Sequence, residues 1–280
     1  MSTATAKTWF ITGTSSGFGR AFAEYALGRG YNVVATARDP SRLRELVDKF
    51  PNRVLALELD VTRSDQADAA IAAAVARFGA IDVLINNAGY AIVGAVEETP
   101  MAELRAQMET NFFGAVAVTQ AALPQLRKQR AGAIVNISSM GGQMSFAGYG
   151  AYSASKFALE GISEALALEL APLGVKVLIV EPGAFRTELV GAALRSMPTN
   201  PAYAESVGPT RAMTQAMHAT QQGDPLKAAA AIEAALGAET TPLRLQLGAD
   251  AVGAIRGHAE KLLQDLSAWE SIASDTALAD

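Results

Sequence analysis

Short apolar runs recur along this chain with helix-period stretches between them, and that alternation limits the fold more than any other feature. The runs are Thr8–Thr12, Asn32–Ala37, Val54–Glu58, Ile81–Ile85, Ala133–Ile137, Lys176–Val180 and Leu243–Leu247. Some, such as Val177-Leu178-Ile179-Val180, are apolar at every position. Strands of that kind belong in a sheet covered on both faces, whereas half-exposed strands alternate. Helical spacing between the runs, as in Phe18, Phe22, Tyr25 and Ala26, supplies the crossovers that parallel strands need. The pattern predicts an α/β fold with a doubly wound, seven-stranded parallel sheet and helices on both faces. Six strands would form two mononucleotide-binding halves, and the seventh would be added at the edge. With 280 residues, half of them hydrophobic, the chain can fill one such core.

Two stretches leave this rhythm. Between Leu189 and Asp224, Pro198, Pro201 and Pro209 punctuate an apolar, methionine-bearing segment with no clear strand, which reads as an inserted substrate lid. From Ala249 to Trp269, within a C-terminal helix at about 249–270, the pattern suits packing on the sheet edge or on another subunit. The formal charge of −5, with no Lys/Arg-rich block, excludes the phosphate-neutralising surface of a nucleic-acid binder. There is no cysteine and only His218 and His258, so neither disulfides nor a zinc site is expected. The amino terminus carries no long apolar leader and no window suits a membrane span, so the expectation is a soluble, cytoplasmic protein without a membrane partner.

After the first strand comes Thr12-Gly13-Thr14-Ser15-Ser16-Gly17-Phe18-Gly19, then a helix. Small residues there let the backbone approach a pyrophosphate, and the helix N-terminus offers unpaired N–H groups and a favourable dipole. The spacing G-x-x-x-G-x-G departs from the G-x-G-x-x-G fingerprint, so the turn alone fits a capped helix equally well. The second strand ends in Arg38-Asp39-Pro40, about twenty residues on, where a ribose-binding acid or a phosphate-binding arginine is expected. Arg38 comes first and Asp39 precedes a proline that starts a turn. This order favours NADP(H), with NAD(H) as the alternative.

Tyr152 and Lys156 lie four apart in a helical run, so they share a face. A phenol with an ordinary pKa of about 10 is a poor base at neutral pH. A cation about 4 Å away is worth roughly 4 kcal/mol at an effective dielectric of 20, or about three pKa units, so Lys156 is expected to pull the phenol towards 7. Fourteen and thirteen residues earlier, Ser138 and Ser139 end a strand, and glycines 141, 142, 148 and 150 would let the loop fold back. Adjacent strand residues face opposite ways, so only one of the two serines can look into a site with Tyr152.

With these features in order, the chain resembles the classical short-chain dehydrogenase/reductases, from about Thr8 to Thr187 and more loosely beyond, on a single Rossmann domain. That resemblance implies a dinucleotide site at Gly13, Ser15, Ser16, Gly17, Phe18 and Gly19, with Arg38 beside it, and adenine held by Asp60 and Val61. It assigns Asn86, Asn87, Ala88 and Gly89 to sheet stabilisation and cofactor lining. Pro182, Gly183 and Thr187 would sit by the nicotinamide. The family's catalytic residues map onto Asn111, Ser139, Tyr152 and Lys156, with Lys156 also on the nicotinamide ribose and Asn111 holding a water that leads protons to it. The implied reaction interconverts a ketone or aldehyde and an alcohol by hydride transfer. The pattern is similar to the bacterial branch near 17-beta-hydroxysteroid and retinol dehydrogenases.

Tyr90, Ile92, Met140, Met144, Phe146, Tyr149, Met197, Met213 and Met217 would form an apolar substrate wall. Apart from Arg186, Arg195 and Arg211 there is little cationic content, so an apolar small molecule fits better than a sugar phosphate. Family members are commonly homodimers or homotetramers through the helices around Asn111 and Tyr152. The competing class is a non-catalytic NADP(H)-binding sensor on the same fold.

Overall fold

The computed structural model describes residues 6–278. The strands are β1 (Thr8–Ile11), β2 (Asn32–Ala37), β3 (Val54–Glu58), β4 (Val83–Asn86), β5 (Ala91–Val93), β6 (Ala133–Ile137), β7 (Lys176–Pro182), β8 (Leu194–Ser196) and β9 (Arg244–Leu247). The α-helices are α1 (Gly17–Gly28), α2 (Arg44–Lys49), α3 (Ser64–Phe78), α4 (Met101–Met108), α5 (Gly114–Gln129), α6 (Gly150–Leu170), α7 (Gly208–Met217), α8 (Pro225–Gly237) and α9 (Ala249–Ser274).

Seven strands form one parallel sheet in the order β3-β2-β1-β4-β6-β7-β9. The strand direction and covered faces match the sequence expectation, and the alternation along β1 shows why. Trp9 and Ile11 pack with α1 and α8 on one face, while Phe10 packs with α3 and α5 on the other. Every position of β1 is buried because both faces are covered. The chain leaves β3 at one edge and returns on the far side of β1, which opens a crevice at the carboxyl ends of β1 and β4.

Polar groups fasten the centre of the sheet. Asn86 on β4 lies opposite Asn136 on β6 and donates to its amide oxygen at 2.8 Å, and also to Thr119 of α5 at 2.9 Å. Asn136 in turn donates to Ser163 of α6 at 2.8 Å. These bonds lock the long helix α6 against the sheet, so residues near its start have fixed positions.

Three details depart from the sequence reading. Ile81 stays outside β4: its N–H and carbonyl are both taken by the Gln129 amide, at 3.2 and 2.9 Å, which ties it to α5 instead of the ladder. The segment Leu189–Asp224 does contain a strand, since β8 pairs in parallel with β5 in a second small sheet. Three-residue strands are too short to register as a period. Finally, α9 runs past Trp269 to Ser274, and beyond its first turn only partly buried or exposed residues follow Ala251.

Candidate active site

A cavity of about 1020 Å³ occupies the crevice. Its floor is the turn between β1 and α1, built from inside by two buried threonines. Thr12 Oγ accepts from the backbone N–H groups of Asn87 and Ala88, both at 2.9 Å. Thr14 Oγ donates to the Ile11 carbonyl at 3.0 Å and accepts from the Thr36 N–H at 3.1 Å. Gly13 and Gly17 take φ values of +69° and +55°, which side chains rarely adopt. A Cβ on Gly19 would overlap the Gly13 carbonyl and the Asn87 amide.

Ser16 occupies the N-cap of α1 in an extended conformation, yet its side chain makes no capping bond and no acid lies in the first turn. The helix therefore presents its positive end, with N–H groups lacking a side-chain acceptor, towards the cavity. Gly13, Ser15, Ser16, Gly17 and Phe18 line that cavity. Gly19 is buried behind them and serves close packing rather than contact.

At one end of the cavity stand Arg38, Arg42, Asp60, Val61 and Thr62. Asp39 turns away to accept from the Ser41 N–H at 3.0 Å, capping the short turn that follows. The Ser41 hydroxyl, and then this N–H, hold its carboxyl below the usual range. Arg38 and Arg42 are exposed, and neither side chain has a hydrogen bond or ion pair among the described residues. Asp60 accepts from the Thr62 N–H and hydroxyl at 3.0 and 2.7 Å, so it shapes its own turn while bordering the cavity.

At the other end, Ser139, Tyr152 and Lys156 converge with Asn87, Ala88, Gly89, Pro182, Gly183 and Thr187. A Cβ placed on Gly141 would lie 3.4 Å from both Ser139 Oγ and Tyr152 Cε1, so the two side chains approach one point. Ser138 points the other way and donates to Glu160 at 2.6 Å, which separates the two serines as strand geometry requires. Ser139 Oγ accepts from the Gly141 N–H at 3.0 Å, leaving its hydroxyl hydrogen free.

The expected lowering of the Tyr152 pKa is absent. Burial pushes the phenol up to about 12, against a smaller opposing effect of the Ser139 hydroxyl. The Lys156 ammonium lies 5.8 Å from the ring centroid and donates to the Ile137 carbonyl at 2.7 Å. Desolvation brings it down to about 8, partly countered by Glu160. Desolvation of the phenol itself, which four-residue spacing could not reveal, sets the direction of its shift.

Asn111 stands behind the cavity wall, near Lys156 across Gly89. It sits in a π turn, Glu109–Phe113, between α4 and α5, and does not border the cavity. Its amide accepts from the Tyr90 N–H at 3.1 Å and donates to the Tyr90 carbonyl at 3.0 Å and to Ser155 at 3.1 Å. With its side chain committed to these partners, Asn111 has only its main chain to offer a water.

Of the expected substrate wall, Tyr90, Met140, Phe146, Tyr149, Met213 and Met217 border the cavity. Ile92 and Met197 instead form a small core with Ala151, and Met144 lies outside the cavity lining. The segment 189–224 is tied down at several points. Tyr149 bonds Thr214 of α7 at 2.8 Å, and Arg211 reaches Glu98 at 2.8 Å and the Met197 carbonyl at 2.9 Å. Arg195 stacks 4.5 Å from the Tyr90 ring centre and pairs with Glu103, and Arg186 donates to the Gln221 carbonyl. The three arginines near this end are thus engaged within the protein.

Sequence reasoning missed several residues here. Asp250 of α9 accepts from the Ala184 N–H at 2.7 Å and packs where a Gly183 Cβ would stand, so it fixes the Pro182–Thr187 segment. Behind Ser139, Glu160 accepts from Ser138 and Gln143. Arg244 of β9 lies 3.2 Å from Glu160, 2.8 Å from Glu164 and 3.1 Å from Glu181. Glu181 is inaccessible to solvent, and burial beside Glu160 raises its carboxyl to about 7. An isolated Glu or Asp in a helix or strand reads as a solvated position, so nothing in the sequence flagged these.

Comparison with known proteins places the chain. The short chain dehydrogenase family matches residues 7–198. An oxidoreductase of Botryotinia fuckeliana is 40% identical over 272 residues, covering 97% of this chain and 99% of that protein. A short-chain dehydrogenase of Streptomyces avermitilis, solved by crystallography, is 52% identical with a TM-score of 0.93, covering 98% of this chain and all of the other. A short-chain dehydrogenase/reductase of Burkholderia phymatum, solved with NAD, is 27% identical with a TM-score of 0.81 and coverage of 92% and 95%. This chain belongs to the short-chain dehydrogenase/reductase family and is an oxidoreductase. Among the described residues, no helix is long and apolar enough to cross a membrane, and no cluster of metal-ligating side chains occurs.

Proposed function

We propose that this chain is an NADP(H)-preferring oxidoreductase that interconverts an apolar ketone or aldehyde and its alcohol. One observation carries the reading: Ser139, Tyr152 and Lys156 meet in the same cavity whose floor is the uncapped end of α1. The residues fit a dinucleotide, because the glycine turn leaves no room for side chains and offers N–H groups to a pyrophosphate. Cofactor choice rests on Arg38 and Arg42, two free guanidiniums at the adenosine end, with the nearby Asp39 already occupied as a cap. The NAD found with the Burkholderia neighbour supports the nicotinamide class.

When bound, a nicotinamide would supply the hydride chemistry at the substrate carbon. Tyr152 then moves the proton on the substrate oxygen, and its raised pKa keeps it protonated, the state that donates during carbonyl reduction. Ser139 directs its free hydroxyl hydrogen at the same oxygen and stabilises charge as it develops. Lys156, held by the Ile137 carbonyl, keeps further N–H groups for the nicotinamide ribose and for returning a proton towards Tyr152. Asn111 positions Tyr90 and Ser155, and its main chain in the π turn is the group left for a relay water. Thr187, beside Gly17, would anchor the carboxamide.

The wall of Met140, Phe146, Tyr149, Met213 and Met217, with the neighbouring arginines already paired, favours an apolar substrate. We read residues 189–224 as the lid over it. Phe113, Phe157 and Ile162, exposed on and beside α5 and α6, support a homo-oligomer through that face. The test is a panel of apolar ketones and alcohols assayed by nicotinamide absorbance with NADPH and NADH in parallel. Turnover with the phosphorylated cofactor favoured is expected; cofactor binding without turnover on any of them would overturn the reading in favour of a sensor.

A further inference from the structure

The last four turns of α9 have no partner among the described residues. From Lys261 to Ser274 every residue is exposed, including Leu262, Leu263, Leu266, Trp269 and Ile272 at 55, 65, 62, 64 and 66%. A helical segment this short is marginal in water on its own, so packing must supply most of its stability. Its apolar residues are ordered for packing. Ile255, Ala259, Leu262, Leu266, Trp269 and Ala273 alternate steps of four and three, which puts them on one stripe with Leu263 and Ile272 at its margins. Glu260, Gln264, Ser267 and Ser271 fill the opposite face.

We propose that this stripe is a homotypic contact surface, pairing antiparallel with α9 of a second copy about a twofold axis near Leu263. Charge sets both the partner and the direction. Arg256 and Glu270 lie on the same margin as Leu263, each seven residues from it, in opposite directions. An antiparallel pair centred on Leu263 therefore brings Arg256 of each copy opposite Glu270 of the other, twice by symmetry. A parallel pair would set like against like. On the other margin Asp265 is already neutralised by Lys261 at 2.5 Å. The segment carries acids at 265, 270 and 275 against Lys261, so it lacks the basic face that holds an interfacial helix on an anionic lipid surface.

Area is consistent with the same partner. Five large side chains that are more than half exposed bring roughly 500 Å² per copy, and the rest of the stripe extends this towards the about 800 Å² per partner of a stable interface. This contact lies on a different element from the α5 and α6 face and does not depend on the catalytic reading.

The absence of cysteine makes the test clean. Single variants Leu263→Cys and Gln264→Cys in the full chain are treated with a short bismaleimide at micromolar concentration. The account expects efficient conversion of Leu263→Cys to a species of twice the chain mass, little conversion of Gln264→Cys on the far face, and loss of the first product when Leu266→Glu is added. Light scattering should show that Leu266→Glu lowers the assembly mass by a factor of two while dinucleotide binding persists. Equal cross-linking of the two cysteine variants, cross-linking insensitive to Leu266→Glu, or a mass unchanged by Leu266→Glu would overturn it.

Discussion

Replacing Glu181 by glutamine should stabilise the protein above neutral pH and leave it close to wild type in acid. Glu181 lies on β7 with no solvent access, facing Glu160 across a single shared guanidinium from Arg244. The Arg244 contact, 3.1 Å from Nε to Oε1, is an ion pair without hydrogen-bond alignment, so one lone-pair site stays unsatisfied. Gln246 donates to the other oxygen at 2.6 Å. Burial away from water, and then the neighbouring Glu160 carboxylate, raise the Glu181 carboxyl from an ordinary 4.5 to about 7 against the smaller opposing pull of Gln246 and Arg244.

The sign follows from linkage. A carboxyl whose folded pKa is raised binds its proton more tightly in the native state. Its favourable contribution is complete below about 4.5 and is lost as pH rises through about 7. A shift of that size corresponds to at most about 3 kcal/mol. Glutamine resembles the protonated acid in shape, keeps the Gln246 contact and offers an N–H to Glu160. Denaturant unfolding of both proteins at about pH 5 and about pH 8 should show a small difference at the lower pH and a gain of up to about 3 kcal/mol for Glu181→Gln at the higher. A stability difference that does not change with pH would refute the raised Glu181 pKa.

Three other outcomes follow from the site. Ser139→Ala should lower turnover by about 10²–10³ with dinucleotide binding intact, whereas Ser138→Ala should chiefly cost about 1–3 kcal/mol of stability by stripping a donor from buried Glu160; comparable turnover losses in the two would show that the serines are not separated. Gly19→Ala, which drives a methyl into the Gly13 carbonyl, should destabilise the turn by about 1–3 kcal/mol and weaken dinucleotide binding in a fluorescence titration, and unaltered binding would contradict the cradle. Arg38→Asp should cut the preference for NADPH over NADH by about tenfold to hundredfold in kcat/KM, with no change expected only if Arg42 alone holds the phosphate.

What could be read from sequence had a repeating or spaced signal. Val177 to Val180 of β7 is apolar at every position because both sheet faces are covered, and such runs made the sheet legible in the sequence. The glycine turn and the Tyr152 to Lys156 spacing were visible for the same reason: backbone space and helix geometry force residue type at fixed intervals. What escaped depends on contacts between distant segments. Glu160, one turn beyond Lys156, reads as a helix-surface acid, yet Arg244 reaches it from 84 residues away. Asp250 and Arg42 gain their places only when α9 and the turn after β2 close on the cavity. The pKa of Tyr152 went the wrong way because spacing gives separation along a helix and says nothing of burial, and burial dominates here.

The most direct test of the account is Tyr152→Phe. The substitution removes one hydroxyl from a buried ring and leaves the α1 turn, Ser139 and the Lys156 to Ile137 bond in place. Reduction of an apolar ketone should fall by about 10²–10⁴, while NADPH affinity measured by calorimetry stays within a few-fold of wild type. Turnover close to wild type with the phenol gone would contradict the assignment of Tyr152 as the proton donor, and with it the reading of this cavity.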